Sequence, residues 1–352
     1  MANNELNNRL YGACLEGNHH EVTKLLSQGA DPCACDNDLL PRVCKRNYYK
    51  IAEVLLTHGA DVHALDDEAL MIVCKDCPEW RLLLLLLGHG ADVHARNDEA
   101  LMLACEKGYG NIVEELIDHG ANVHARDNEA LIRACNVGYS SIVTLLIDNG
   151  LNVNIRGDEA MLRCMNNSSP DALQILLDNG VSVPTDVNRV NKAFYKSVEC
   201  YGHEMVYAFV SNGFITEEDV LIRALTYAVR IGSEKVIGVL LNCGVDANKL
   251  DDELLIKIVK QSEHELLNTL LSHRTHSNAL NNSLLMHAIH YRDVKSVEIL
   301  LKHGANSDEA LRCALTLRRD SIVRVVLKAL ASNTDFCSST IINMLTTMGR
   351  SE

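Results

Sequence analysis

Aromatic side chains make up only 4% of this 352-residue chain, and tryptophan occurs once. With so few rings and an apolar half dominated by Leu, Ile, Val and Ala, the composition suits helices packed on helices better than a β-sandwich. Long apolar runs are missing as well. The longest pure leucine run, Leu82 to Leu87, is far short of the ~20 residues a membrane helix needs. Positive charge is in the minority, with 33 Lys and Arg against 47 Asp and Glu and a formal net charge of −14. That balance disfavours non-specific nucleic-acid or anionic-membrane binding. The first ten residues, MANNELNNRL, do not place an apolar region after a charged one, so no secretory leader is expected and the expected location is intracellular. Catalytic motifs are also wanting: no Walker-type phosphate loop, no G-x-G-x-x-G after a strand and no nucleophile motif. The reading is therefore non-enzymatic, with no cofactor and no metal.

What the chain has instead is repetition. Residues 126–156 read RDNEALIRACNVGYSSIVTLLIDNGLNVNIR, and thirty residues earlier stands RNDEALMLACEKGYGNIVEELIDHGANVHAR. Each unit splits into two helical patterns. In the unit beginning at Asp127, Asn128 reads as an N-cap and Glu129 sits in the first turn, where the helix dipole favours negative charge. Leu131, Ala134 and Cys135 then form a narrow apolar stripe, and Gly138 stops the first helix. A second helix carries Ile142, Val143, Leu145, Leu146 and Ile147 up to Asn149-Gly150, and Leu151 to Arg156 runs out as a loop.

The terminal glycine serves as a ruler. Gly29, Gly59, Gly90, Gly120, Gly150 and Gly180 are spaced by 30 or 31, and Gly213, Gly244 and Gly304 continue the series. Arg274 and Leu330 stand at two further stops, giving about eleven helix pairs. Residues 1–35 read as an N-terminal capping repeat, because Asn7, Asn8, Arg9, His19, His20 and Glu21 replace apolar residues of the neighbours. Residues 36–183 are regular repeats and 184–337 divergent ones. Pro184 lies in a longer connection read as a bend, and the unit after it is expected to have a shorter second helix. The loop between Ala305 and Glu309 is about four residues shorter than its counterparts. In 338–352, Ser338 to Met348 read as a capping helix followed by a tail.

The phrases A-C, G-Y, I-V-x-L-L and x-G-A-D/N-V resemble ankyrin repeats. They stand here as Gly108-Tyr109, Ile112-Val113, Leu116-Ile117 and Gly120-Ala121-Asn122-Val123, with Gly202-His203 in a later unit. The resemblance covers essentially the whole chain and implies an all-α solenoid of stacked helix-turn-helix units. It departs from the family in one consistent way. The usual T-P-L-H start is replaced by Glu68-Ala69-Leu70, Glu99-Ala100-Leu101, Glu129-Ala130-Leu131 and Glu309-Ala310-Leu311, and the unit is about three residues short of the usual 33. Hairpin tips trimmed to simple loops are the expectation. The short D-N-E-A-L variant looks like the ankyrin proteins that giant, mimivirus-like DNA viruses of amoebae encode, which implies a host protein as partner and the host cytoplasm as location.

Several residue types invite chemistry. Cys14, Cys44, Cys74, Cys105 and Cys135 fall at one point of successive first helices. Stacked equivalents lie about 8–10 Å apart, too far to share a metal at ~2.3 Å, so small apolar packing residues are expected. Cys33 and Cys35 sit on a loop tip, where exposed thiols leave a metal or redox role open. His58, His89, His119 and His303 precede terminal glycines and are expected to bond helix-end carbonyls. His63, His94 and His124 form a file along the loops, with a metal ladder as the alternative.

The remaining candidates are surface positions. With about eleven pairs at ~9 Å each, the concave groove of a solenoid would run roughly 100 Å. Two offsets past the Glu-Ala-Leu start vary between copies and are the partner-binding candidates: Met71, Ile72, Met102, Leu103, Ile132, Arg133, Leu162 and Arg163. Loop tips add Arg96, Arg126 and Arg156 in register, beside Asp66, Asn97 and Asp127. That file either clasps an acidic segment of a partner or pairs with the neighbouring acids. Trp80 with Leu82–Leu87 reads as a thickened core rather than a docking anchor. The functional expectation is a monomeric scaffold that binds one protein partner on its concave face, with no nucleic acid and no membrane. The alternatives are a substrate receptor recruiting a ubiquitin ligase, and a metal-binding or enzymatic role.

Overall fold

The computed structural model describes residues 2–34, 36–200, 202–274 and 278–332. Among them are 22 α-helices and no strand. The helices pair as the glycine ruler expects. The first six pairs are α1 (Ala2–Glu16) with α2 (His19–Ser27), α3 (Leu39–Lys45) with α4 (Tyr49–Thr57), α5 (Ala64–Asp76) with α6 (Trp80–Gly88), α7 (Ala95–Lys107) with α8 (Gly110–Asp118), α9 (Ala125–Val137) with α10 (Ser140–Asp148), and α11 (Gly157–Asn166) with α12 (Pro170–Asp178). The other five are α13 (Val187–Glu199) with α14 (His203–Ser211), α15 (Glu218–Ile231) with α16 (Glu234–Asn242), α17 (Asp252–Lys260) with α18 (His264–Ser272), α19 (Asn278–Tyr291) with α20 (Val294–Lys302), and α21 (Ser307–Thr316) with α22 (Asp320–Ser332). The chain divides into two compact units, 1–193 and 194–352, and the division falls inside α13. No described helix is long and apolar enough to cross a membrane. The expected capping helix at Ser338–Met348, and Cys35 of the loop tip, lie outside the described residues.

In the first unit the helices form two layers. First helices stack on first helices, α1 through α11, and second helices stack on second helices, α2 through α12. The seam between layers is lined by small or flexible residues on one side and branched ones on the other. Ala130, Leu131, Ala134 and Cys135 of α9 are buried against Ile142, Val143 and Leu146 of α10. Each fully buried Leu or Ile contributes about 1.5–3 kcal/mol relative to its exposed state. The cysteines follow the packing expectation. Cys14, Cys44, Cys74, Cys105 and Cys135 are all fully buried, and so is Cys164 of α11. Burial pushes the Cys14 thiol up to about 12 and those of Cys44, Cys74 and Cys105 higher still. Neutral thiols of this kind are inert space-fillers.

Gly108 shows why the G-Y phrase recurs. It caps α7 at φ +80°, and a Cβ there would sit 2.4 Å from the Tyr139 ring of the next unit. The tyrosine of one unit therefore lies against the glycine of the unit before.

The second unit has the same paired plan with bulkier filling. Phe194, Phe209 and Phe214 meet edge to face, with centroids 5.5 and 6.0 Å apart. Here one expectation fails. The second helix after Pro184, α14, is as long as α8, α10 and α12, because Met205, Val206, Ala208 and Phe209 keep the apolar stripe that the looser sequence seemed to lose. The short loop at Ala305 is present. Asn306 caps α21 there, accepting from the N–H groups of Asp308 and Glu309.

Candidate functional site

The E-A-L starts are entered through an unusual turn. Leu65-Asp66-Asp67, Arg96-Asn97-Asp98 and Arg126-Asp127-Asn128 are each three consecutive left-handed residues, with φ between +49° and +64°. Non-glycine residues adopt this region at a cost, so something must hold each turn. The third residue does. Asp67, Asp98 and Asn128 are buried and reach into the next unit's loop. Asp67 Oδ1 accepts from the Asp92 N–H at 2.9 Å and Asp98 Oδ1 from the Asn122 N–H at 2.7 Å. Asn128 inverts the pattern, its Nδ2 donating to the Asn152 carbonyl at 2.7 Å. Asn128 is thus not the N-cap its position suggested. A bond to the next repeat, 24 residues on, takes the place of a bond to its own helix.

The histidine file is part of the same arrangement. His63, His94 and His124 set Nδ1 against Asp67, Asp98 and Asn128 at 3.3, 3.1 and 3.3 Å. Among the described residues no group of three or more His, Cys, Asp or Glu is placed to hold a metal ion. Two of the histidines expected at helix ends behave as helix stops, while His303 sets Nε2 against Asn268 Oδ1 at 3.0 Å. His58 and His119 set Nδ1 on the carbonyls of Val54 and Glu115, each at 2.8 Å.

The arginine file is neutralised by glutamates of adjacent repeats. Arg96 pairs with Glu68 at 2.7 Å and Arg126 with Glu99 at 2.5 Å. Arg156 meets Glu129 at 2.8 Å and Glu159 at 2.9 Å. Arg96 and Arg126 also donate to the carbonyls of Leu65 and Arg96, one repeat back. Arg133 adds pairs to Glu99, Glu106 and Glu129, and Arg163 pairs with Glu159. The helix-start glutamates therefore engage the file, and the neighbours Asp66, Asn97 and Asp127 do not. The Glu129 and Glu159 carboxylates raise the pKa of Arg156 above its already high value. Burial would raise Glu159, yet bonds from Arg156 and Arg163 outweigh it and hold the carboxyl below its ordinary value. The result is a lattice running across four first-helix starts.

The two variable offsets separate. Met71, Met102, Ile132 and Leu162 are buried, so they belong to the core and not to a contact surface. The next position along each helix stays at the surface: Ile72, Leu103 and Arg133 half-buried, Arg163 exposed. These four form a row whose two arginines, Arg133 and Arg163, themselves belong to the Arg–Glu lattice. Trp80 also departs from expectation. Leu82, Leu83, Leu86 and Leu87 are buried, while Trp80 is 49% exposed. The extra residue of that unit carries the indole outside the core rather than thickening it. Sequence reasoning missed the structural role of Asp67, Asp98 and Asn128. The signal was there as a polar residue constant just before each Glu-Ala-Leu.

Two comparisons bear on this geometry. Residues 70–157 match a family model for ankyrin repeats in three copies, and residues 280–310 match one for a single ankyrin repeat. No curated protein matches the chain. Among solved structures, an ankyrin repeat domain from Acinetobacter baumannii is 26% identical, with a TM-score of 0.45, covering 49% of this chain and 98% of its own. The human ASB11 ankyrin repeat domain is 21% identical, with a TM-score of 0.44, covering 49% of this chain and 84% of its own. The family models recognise ankyrin repeats in both units, and the paired, stacked helices have the architecture of an ankyrin solenoid. Ankyrin repeats generally mediate protein–protein interaction, and proteins built from them are typically non-enzymatic scaffolds.

Proposed function

We propose that the chain is a non-enzymatic scaffold whose concave, first-helix face in residues 36–183 seats one protein partner. The observation that carries this reading is the row Ile72, Leu103, Arg133 and Arg163. Its residues occupy one position of four near-identical helices, are not needed in the core, and differ where the surrounding frame is constant. Half-buried aliphatic residues beside guanidinium groups are the composition of a protein-binding centre rather than of a solvated face. Arg133 and Arg163 tie this row into the Arg–Glu lattice, and Arg96, Arg126 and Arg156 form its rigid border, held by their glutamates. If the likeness to the giant-virus ankyrin proteins is followed, the partner is a host protein. No observation among the described residues favours the ubiquitin-ligase alternative.

The test uses Ile72→Arg with Leu103→Arg, because copies at 133 and 163 already hold arginine there and the fold accommodates it. Tagged wild-type and variant chains are used to capture proteins from lysate of the native cell, with quantitative mass spectrometry. The expected result is a specific protein retained by the wild type and reduced at least tenfold by the variant at an unchanged melting temperature. Equal recovery by both chains, or no specific protein with either, overturns the reading. Arg96→Glu with Arg126→Glu and Arg156→Glu does not serve this purpose, since it sets glutamate against glutamate in the lattice and lowers stability as well.

A further inference from the structure

Away from the first-helix face, the N-terminal ends of α2, α4 and α6 surround a groove of about 410 Å³, lined by Gly17, His19, Tyr48, Tyr49, Lys50 and Arg81 among others. Its floor is aromatic. The Tyr48 ring lies so close to Gly17 that a Cβ there would come within 2.8 Å of it. Beside the groove stands Trp80, half exposed, with the Arg81 guanidinium 5.9 Å from the centre of its ring system. This is the chain's single tryptophan. The feature is confined to the first three repeats. Their second helices open with His19-His20, Tyr49-Lys50 and Trp80-Arg81, whereas the next two open with Gly110-Asn111 and Ser140-Ser141.

The charge here differs from that of the arginine file. Every arginine of the file is paired with a glutamate. Lys50 and Arg81 are exposed, and neither enters an ion pair among the described residues. Glu79 also lines the groove, but its carboxylate is turned onto the Arg81 N–H at the start of α6. Tyr48 supplies no side-chain cap to α4, so the partial positive charge of that helix end stays open to the groove. A chain of net charge −14 thus keeps unpaired cations against an exposed indole at one spot.

We propose that this groove docks an acidic peptide segment of a protein partner, with carboxylates meeting Lys50 and Arg81 and an apolar side chain lying against Trp80 and Tyr49. Charge complementarity selects the occupant. Carboxylates gain from the unpaired cations and the open helix end, and a large amphipathic aromatic is the usual anchor of such contacts. The acidic remainder of the molecule argues against nucleic acid. The surface is separate from the row at Ile72 and Leu103, though both rest on the chain being a protein-binding scaffold.

The experiment selects binders to the immobilised full chain from a randomised 12-residue phage-displayed library. Selected peptides are then synthesised and measured by fluorescence anisotropy. Net-negative sequences carrying at least one Leu, Ile or aromatic residue are expected. Trp80→Ala and the pair Lys50→Glu, Arg81→Glu should each weaken them at least tenfold, while Ile72→Arg with Leu103→Arg leaves them unchanged. Because all three groove residues are exposed, unaltered thermal melts should accompany the loss; Lys50→Ala with Arg81→Ala serves where the reversal lowers the melt. Neutral or basic peptides, no selected peptide, or binding indifferent to the groove variants overturns the proposal. Loss confined to the Ile72 and Leu103 variant sinks the groove and leaves the first-helix reading standing. Binding of a fluorescein-labelled dodecauridylate that the groove variants abolish overturns it in favour of single-stranded nucleic acid.

Discussion

At the scale of the residue, the cysteine series shows how one side chain can be read without an active site. A thiol recurs at one point of α1, α3, α5, α7 and α9 and is fully buried at each, where two layers of helices approach. Burial disfavours the thiolate, so the seam selects a small neutral group. Cys74→Asp tests this better than the same change at Cys105, because burial raises the Cys105 thiol but Arg133 lies near enough to oppose it slightly and would attract an aspartate there. At Cys74 the new carboxylate has no such neighbour. It should cost about 3–5 kcal/mol, read as a large drop in melting temperature, while Cys74→Ala should change little. A melt unmoved by the aspartate would remove the packing assignment. The cysteine role was legible in the sequence because spacing alone forbade convergence on a metal. The burial of Met71, Met102, Ile132 and Leu162 was not, since two adjacent positions on a short helix both vary between copies and only geometry tells which one faces inward.

At the scale of the element, the informative piece is the left-handed turn before each Glu-Ala-Leu. Sequence reasoning read a helix cap at Asn128 because an Asn before an acidic first turn usually is one. The structure instead bonds that side chain to the next repeat, a contact between positions 24 apart that no local pattern displays. Asp98 is the acceptor version of the same device. Asp98→Ala should leave the Asn122 N–H without its partner and cost about 1–3 kcal/mol. The control is Asp127→Ala. Asp127 has nearly the same left-handed backbone, φ +54° against +59°, but is exposed and makes no such bond, so strain is common to both and the difference isolates the inter-repeat contact. Hydrogen–deuterium exchange should quicken at Asn122–Ala125 in the Asp98 variant only. Equal exchange in the two variants would show that the turn is held by strain-tolerant backbone alone. The helix pairs themselves were far more legible. Glycine stops and I-V-x-L-L stripes placed them, save that the looser sequence of α14 suggested a shorter element than the full-length helix that forms.

At the scale of the whole molecule, stability is a sum of repeats and of contacts between neighbours, so its dependence on pH reports where charged side chains join one repeat to the next. Each unit holds such a carboxylate. In the first, burial would raise Glu159, but Arg156 and Arg163 outweigh it and hold the carboxyl low, and Arg156 in turn pairs with Glu129 of the preceding first-helix start. In the second, burial would raise Asp293, but bonds from Ser296, His264 and Ser262 outweigh it and depress the carboxyl. His264 Nε2 lies 2.8 Å from it and so ties the start of α18 to the cap of α20. A carboxyl with a depressed folded pKa contributes stability that is complete above its unfolded value, about 3.9 for Asp and 4.3 for Glu. That stability is lost as pH falls through the lower folded value. Urea unfolding followed by far-UV circular dichroism should therefore give a midpoint insensitive to these two groups between pH 7 and 5, falling below about pH 4. Glu159→Gln and Asp293→Asn should each start below the wild type at pH 7 and close on it as the pH falls below about 4, since protonation progressively removes the same charge from the wild type. A gap between wild type and amide variant that stays constant from pH 7 to pH 3 would show that the variants lose shape or hydrogen bonding, and that these carboxylates do not join their repeats through charge.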